Sequence, residues 1–162
     1  MNTRVGIGYD SHRFAAGRPL RIAGVTVPHT HGLVGHSDGD VALHALIDAL
    51  LGAASLGDIG KHFPDDDPQW RGVDSARLLK KIVETLAGAG FAVAQVDITV
   101  LAERPKIAHM IGPMRAATAK ALGVAEEAVS IKAKTNEGMG WIGRGEGIAA
   151  IAVATITPAA AG

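Results

Sequence analysis

Hydrophobic and polar positions along the chain follow two periods. Arg4–Tyr9 reads as a strand. The sets Val96, Ile98, Val100, Ala102 and Val129, Ile131, Ala133, Thr135 repeat at every second residue, which predicts strands with one buried face. Ile148–Ile156 carries apolar residues on both faces and predicts a central strand. Leu20–Val27 predicts a hairpin folding at Ala23-Gly24, with Pro28 ending it. Between strands the period becomes helical. Asp40–Leu51 is the clearest helix, with a core stripe of Val41, Ile47, Leu50 and Leu51. Ser37 and Asp40 form the Ser-x-x-acid pattern at its start, and Gly52 need not end it because Ala53, Ala54 and Leu56 follow. Asp74 caps a second helix whose stripe is Leu78, Leu79, Ile82, Val83 and Leu86, stopped by Gly88 or Gly90. Pro105 marks a break, and a third helical region runs to about Leu122, with Pro113 acceptable in a first turn. The Ala-rich tail after Pro158 is expected to fray.

Interleaved strands and helices predict an α/β or α+β sandwich with helices on one face. No linker or repeat divides the chain, so residues 1–162 are expected to form a single domain. With 48% apolar residues the chain is not disordered. No apolar run reaches the ~18 residues of a membrane span, and the N-terminus has no signal-peptide core, so a cytoplasmic protein without membrane contact is expected. Sixteen basic residues balance sixteen acidic ones and aromatics make up 4%, which argues against a nucleic-acid partner. The absence of Cys excludes disulfides, thiolate metal sites and a Cys nucleophile. A bound metal must therefore use the carboxylates and some of the seven His.

Two familiar patterns fail on context. Gly35-His36-Ser37-Asp38-Gly39 matches the G-x-S-x-G nucleophile elbow, but Pro28-His29-Thr30-His31-Gly32 before it cannot be the buried strand that an elbow requires. A Ser capping a helix is the simpler account, with a serine hydrolase through Ser37 as the rival. Gly138-Met139-Gly140-Trp141-Ile142-Gly143 matches the dinucleotide fingerprint, yet a strand rather than a long helix follows it.

The chemistry gathers elsewhere. Asp10 and His12, two apart on the first strand, point the same way, and Gly6 and Gly8 on that face leave room for something bulky. His44 lies early on the Asp40 helix, with Asp40 or Asp48 within reach as its outer acceptor. One carboxylate and two imidazoles suit a catalytic zinc site with an open position. On spacing alone, a loop network and a capped helical His fit equally well. His36-Ser37 precedes a helix, where free amides favour an anion. Gly57-Asp58-Ile59-Gly60 and Phe63-Pro64-Asp65-Asp66-Asp67 are acidic loops, and Asp66 is expected only to be solvated. Lys132-Ala133-Lys134-Thr135-Asn136-Glu137 ends a strand with cations, a hydroxyl and a carboxylate that can hold a hard cation beside phosphates. This donor set favours phosphoryl chemistry.

Gly8-Tyr9-Asp10-Ser11-His12, His36 to Ala45, Gly57 to Gly60, Arg104-Pro105-Lys106, Lys132 to Glu137 and Gly143-Arg144-Gly145-Glu146-Gly147 occur in that order. Together they closely resemble the 2-C-methyl-D-erythritol 2,4-cyclodiphosphate synthases of the non-mevalonate isoprenoid pathway, from about Arg4 to Ile156. The resemblance implies a metal-dependent phosphorus–oxygen lyase that cyclises 4-diphosphocytidyl-2-C-methyl-D-erythritol 2-phosphate and releases CMP. It implies a ferredoxin-like α+β sandwich with a four-stranded sheet, assembled as a homotrimer with sheets facing inward and active sites between subunits. It further implies that Asp10, His12 and His44 hold Zn2+ and that Glu137 helps hold Mg2+ or Mn2+ with the substrate diphosphate. His36 and Thr135 would stabilise the transition state, with Ser37 beside His36 in the substrate site. Asp58, with Ile59 and Gly60, would hold the erythritol hydroxyls, and Phe63, Pro64, Asp65 and Asp67 would line that pocket. Ala102, Pro105, Lys106, Ile107 and Ala108, with Ala133, Lys134 and Asn136, would surround the cytidine phosphate. Arg144 and Glu146, with Trp141, would lie near a threefold channel that takes an isoprenoid diphosphate. Members often carry Thr at the positions of Lys134 and Asn136, and Phe or Tyr where Trp141 stands. A trimeric metal- or isoprenoid-binding protein without catalysis is the remaining rival.

Overall fold

The structure is a computed structural model that describes residues 2–160. The end of the tail expected to fray, residues 161–162, lies outside them; Ala159, just before, donates its N–H to the Gly90 carbonyl at 2.8 Å. The strands are β1 (Arg4–Ala16), β2 (Leu20–Ile22), β3 (Val25–Val27), β4 (His31–Leu33), β5 (Phe91–Leu101), β6 (Val129–Lys134) and β7 (Gly147–Pro158). The helices are α1 (Val41–Ala54), α2 (Ile59–His62), α3 (Ser75–Gly88), α4 (Ile111–Leu122) and α5 (Gly140–Gly143). One sheet has the order β4-β1-β7-β5-β6, antiparallel throughout except for the parallel β5/β6 pair. β7 is central, as its two-sided apolar pattern predicts.

The sheet has five strands, not the four implied by the resemblance. His31–Leu33 adds a short edge strand to the end of β1, pairing Leu33 with Phe14 and His31 with Ala16. Its few residues carry no periodicity, because backbone hydrogen bonds alone make the pairing. β1 also runs well past Tyr9, since every residue from Arg4 to Arg13 has a partner on β7.

The helices cover one face, and close packing there begins with glycine. A methyl group on Gly6 would sit 1.9 Å from the Ala49 carbonyl oxygen, and one on Gly8 1.9 Å from that of Ala45. The bulky neighbour for which these glycines leave room is therefore helix α1 itself, backbone against backbone. Ala150, Ala152 and Ala154 of β7 continue this small-residue floor. As a result α1 is buried on nearly every side, with only Asp48 and Gly52 not buried, a wider contact than the predicted stripe. α3 packs on α1 and β5, and α4 on α3 and β6.

The β2/β3 hairpin folds where expected. Ile22 pairs with Val25, and Ala23 (φ 50°) and Gly24 (φ 79°) both take the left-handed conformation of a two-residue hairpin turn. The fully buried Asp40 carboxylate joins this turn to α1. It accepts the N–H groups of Ala23 (2.9 Å), Gly24 (2.7 Å) and Leu43 (3.1 Å), so Asp40 rather than Ser37 is the helix cap. Burial, followed by the nearby Asp38 charge, pushes its carboxyl above the usual range.

Two further features position the site. Val5, Ile7, Tyr9, Ile151 and Val153 leave an apolar strip exposed in the single chain, the Ile7 side chain at 70%. β1, β5 and β6 run in the same direction, so their C-terminal ends open at one edge. Asp10, Ala150, Val100 and Ala133 form a single cross-strand row. Three strand spacings put Asp10 about 14 Å from Ala133.

Candidate active site

At that edge Asp10, His12 and His44 converge. Asp10 Oδ2 lies 2.9 Å from His12 Nε2 and 3.2 Å from His44 Nδ1, and the two ring nitrogens are 3.1 Å apart. Each residue points one ligand atom at a common centre. Ligands at 2.0–2.1 Å around tetrahedral zinc stand roughly 3.3 Å from one another, so this triangle is close to one face of such a site. Two strand residues with alternate spacing and one residue of a helix held against that strand produce it. The donor set fits a divalent metal. Burial raises the Asp10 carboxyl, but hydrogen bonds and charge from His12 and His44 outweigh it and hold the group well below the usual range. Burial likewise lowers the His44 imidazole, yet Asp10 outweighs it and raises the group overall.

The outer acceptor of His44 is neither Asp40 nor Asp48. Asp40 is used up by the hairpin and the helix cap, and Asp48 accepts the Ile59 N–H at 2.8 Å. Instead, His44 Nε2 lies 2.9 Å from both Ser37 Oγ and Ser75 Oγ. Ser75 donates its hydroxyl to Asp38, whose other oxygen accepts the Ser75 N–H at 3.1 Å. A carboxylate can only accept, so the chain of donors runs from His44 Nε2–H through Ser75 to Asp38. That leaves the Nδ1 lone pair facing Asp10 and His12, as metal ligation requires. Sequence reasoning missed Ser75 because 31 residues separate it from His44.

Ser37, His44 and Asp10 also have the connectivity of a Ser-His-Asp triad. The nucleophile does not follow. Ser37 is 5% exposed, shares the His44 nitrogen with Ser75, and follows the edge strand β4 rather than a buried strand. The second decoy yields only the single helical turn α5.

A cleft of about 360 Å³ opens on the triangle. Of the expected residues, Asp10, His12, His36, Ser37, His44, Ile59, Gly60, Phe63 and Asp65 line it. Gly35, Trp70 and Leu78 were not anticipated; Trp70 packs edge-on against Phe63 at 4.9 Å between ring centres. Asp58, Pro64 and Asp67 stand outside this lining. Asp58 caps α2 through the Lys61 N–H, and the Asp67 carbonyl lies 3.2 Å from His36 Nε2. Arg18 donates to the carbonyls of Gly35 (3.2 Å) and Ser37 (3.0 Å), which pins the loop carrying His36.

A second recess, of about 140 Å³, lies at the ends of β5 and β6. Ala102, Pro105, Lys106, Ile107, Ala108, Ala133, Lys134 and Thr135 line it, with Val100. Within one chain this recess is separate from the cleft. Asn136 and the exposed Glu137 follow it on a loop, and Glu137 is not part of the Asp10 cluster. Trp141 and Glu146 border a further recess with His12, while Arg144 faces His29, His31 and Arg104 in another.

The YgbB family profile matches residues 3–157. A 2-C-methyl-D-erythritol 2,4-cyclodiphosphate synthase from Bordetella petrii is 58% identical over 156 residues, covering 96% of each chain. Among solved structures, the bifunctional IspDF from Campylobacter jejuni superimposes with a TM-score of 0.93 and 40% identity over 97% of this chain; the match spans 42% of that longer protein. A 2C-methyl-D-erythritol-2,4-cyclodiphosphate synthase in its CDP-bound form gives 0.87 at 36% identity, covering 95% of this chain and all of the other.

Proposed function

The chain belongs to the YgbB family, the 2-C-methyl-D-erythritol 2,4-cyclodiphosphate synthases, and from that premise we propose which of its residues carry the cyclisation and how. The reaction closes a ring within 4-diphosphocytidyl-2-C-methyl-D-erythritol 2-phosphate. An oxygen of the 2-phosphate attacks the β-phosphorus, the bond from that phosphorus to the bridging oxygen breaks, and CMP leaves with the electron pair. The nucleophile belongs to the substrate. The protein therefore has to align two phosphates that repel each other and neutralise their charge.

Asp10, His12 and His44 hold Zn2+, and Glu137 helps hold Mg2+ or Mn2+ with the diphosphate; when bound, these cations neutralise and polarise the two phosphate groups. His36 and Thr135 donate to oxygens that gain charge in the transition state. Ile59, Gly60, Phe63 and Asp65 enclose the methylerythritol, with Asp58 on its hydroxyls. Lys106 and Lys134, with the backbone from Ala102 to Ala108, hold the cytidine phosphates. The CDP in the related structure supports a nucleotide subsite.

The cleft and the recess lie about 14 Å apart in one chain, and the sheet leaves an apolar strip uncovered. Both support a homotrimer whose sheets face inward and whose cleft is completed by the recess of a second copy. Trp141 and Arg144, the latter paired with Glu146 at 2.8 Å, then border an axial channel suited to an isoprenoid diphosphate. No helix among the described residues is long and apolar enough to cross a membrane.

The observation that carries the assignment is the triangle of ligand atoms within 3.2 Å at the floor of the cleft. His44→Ala tests it. Bound zinc should be lost and CMP release should fall at least about a hundredfold. Zinc loss with normal turnover would sink the assignment.

A further inference from the structure

The loop that follows β6 is held by a carboxylate outside every residue considered so far. Glu103, just beyond the end of β5, accepts the Asn136 N–H at 3.2 Å through one oxygen and the Gly138 N–H at 2.6 Å through the other. Between these two amides stands Glu137, a non-glycine residue with φ at 54°, followed by Gly138 at 73°. Left-handed backbone is disfavoured for an L residue and persists where its surroundings enforce it. The neighbouring contacts supply that enforcement. The Glu137 N–H points to Thr135 Oγ1 at 3.3 Å, the Met139 N–H to the Asn136 carbonyl at 2.9 Å, and Asn136 Nδ2 to the Met139 carbonyl at 2.8 Å. On the other side, the Ala102 N–H reaches the Lys134 carbonyl at 2.9 Å, so strand pairing runs up to the residue before Glu103.

Successive amides in such a turn form a concavity that attracts anions. Here the anion is internal: Glu103 accepts the Asn136 and Gly138 amides, and this carboxylate bracket fixes the turn on both sides of Glu137.

We propose that Glu103 is a positioning residue: it bridges Asn136 and Gly138 so that Glu137 is presented in one direction to the divalent cation and the substrate diphosphate. This rests on the assignment of Glu137 to that cation. Glu103→Ala removes both acceptors. Glu103→Gln keeps the size and one acceptor oxygen, but turns an amide N–H₂ toward a backbone N–H.

The test measures amide hydrogen exchange at Asn136 and Gly138 in the intact protein, and the Mg2+ concentration that half-saturates CMP release. Glu103→Ala should speed exchange at both amides about tenfold or more and raise the Mg2+ requirement about tenfold. Zinc content and exchange in α1 should stay as in the parent. Glu103→Gln should move both readouts the same way by less. Parent values of either readout in Glu103→Ala overturn the proposal; should that variant not fold, parent values in Glu103→Gln do so. Glu137→Gln checks the assignment beneath. A raised Mg2+ requirement upholds it. An unchanged one removes Glu137 from the cation, while faster exchange at Asn136 and Gly138 in the Glu103 variants would still uphold the bracket.

Discussion

The cleft at Asp10, His12 and His44 and the recess at the ends of β5 and β6 share one edge of one sheet, yet they are built differently. In the cleft, side chains project from a long strand and a buried helix, and a further layer of Ser37, Ser75 and Asp38 holds His44 from behind. In the recess, exposed Lys106 and Lys134 stand beside a loop whose amides are held by one carboxylate, Glu103. A metal ligand set tolerates only tenths of an ångström and calls for rigid elements. A nucleotide is held through many weaker contacts, and loops suffice for that.

A methyl group added in each half tests the difference in stiffness between cleft and loop. Gly8→Ala drives a Cβ into the Ala45 carbonyl of α1, and nothing but the helix can move; the expected loss is about 3 kcal/mol or more in urea unfolding. Gly138→Ala has open space around it and pays only for its left-handed backbone, about 1–2 kcal/mol. Equal losses would mean that the cleft is no stiffer than the loop.

Proton linkage gives a second contrast. In metal-free protein the His44 imidazole is raised by Asp10 against the opposing effect of burial. Stability from that pair is complete below the ordinary imidazole value of about 6.5 and is lost as pH rises through the raised one. The metal-free melting temperature should therefore fall as pH climbs above that value. Added Zn2+ should reverse the slope, because a ligating imidazole must be neutral. A slope that stays the same with and without metal would uncouple His44 from the site. The smallest expected effect is that of Asp74→Ala, which removes the cap on the Ala76 N–H at 2.9 Å and should cost about 1 kcal/mol. Zinc affinity should hold, because Asp38 grips Ser75 independently of that cap. A drop in affinity would show that α3 frays as far as the metal site.

What could be read from the chain follows the same division. Asp10 and His12 were legible because alternation on a strand fixes which way side chains point, and His44 because a helix start is written in local residues. The turn at Ala23-Gly24 was legible for a similar reason. Ser75 behind His44, Glu103 behind Glu137 and Trp70 in the cleft were not, since each meets its partner through the fold rather than through spacing. The short strand β4 was hidden because its pairing uses main-chain groups that every residue possesses. Asp40 and Asp48 were offered to His44 by helix geometry, but nearer amides had the stronger claim on them.

At Gly6 and Gly8, strand and helix α1 meet backbone to backbone. The closest approach of the strand that bears Asp10 and His12 to the helix that bears His44 is set by main-chain atoms rather than by the size of core side chains elsewhere. Drift in the size of core side chains can tilt other helices while the ligand triangle keeps its dimensions. For redesign, the ligands themselves can then be exchanged on a frame whose calibration is fixed in advance, provided that the two glycines are kept.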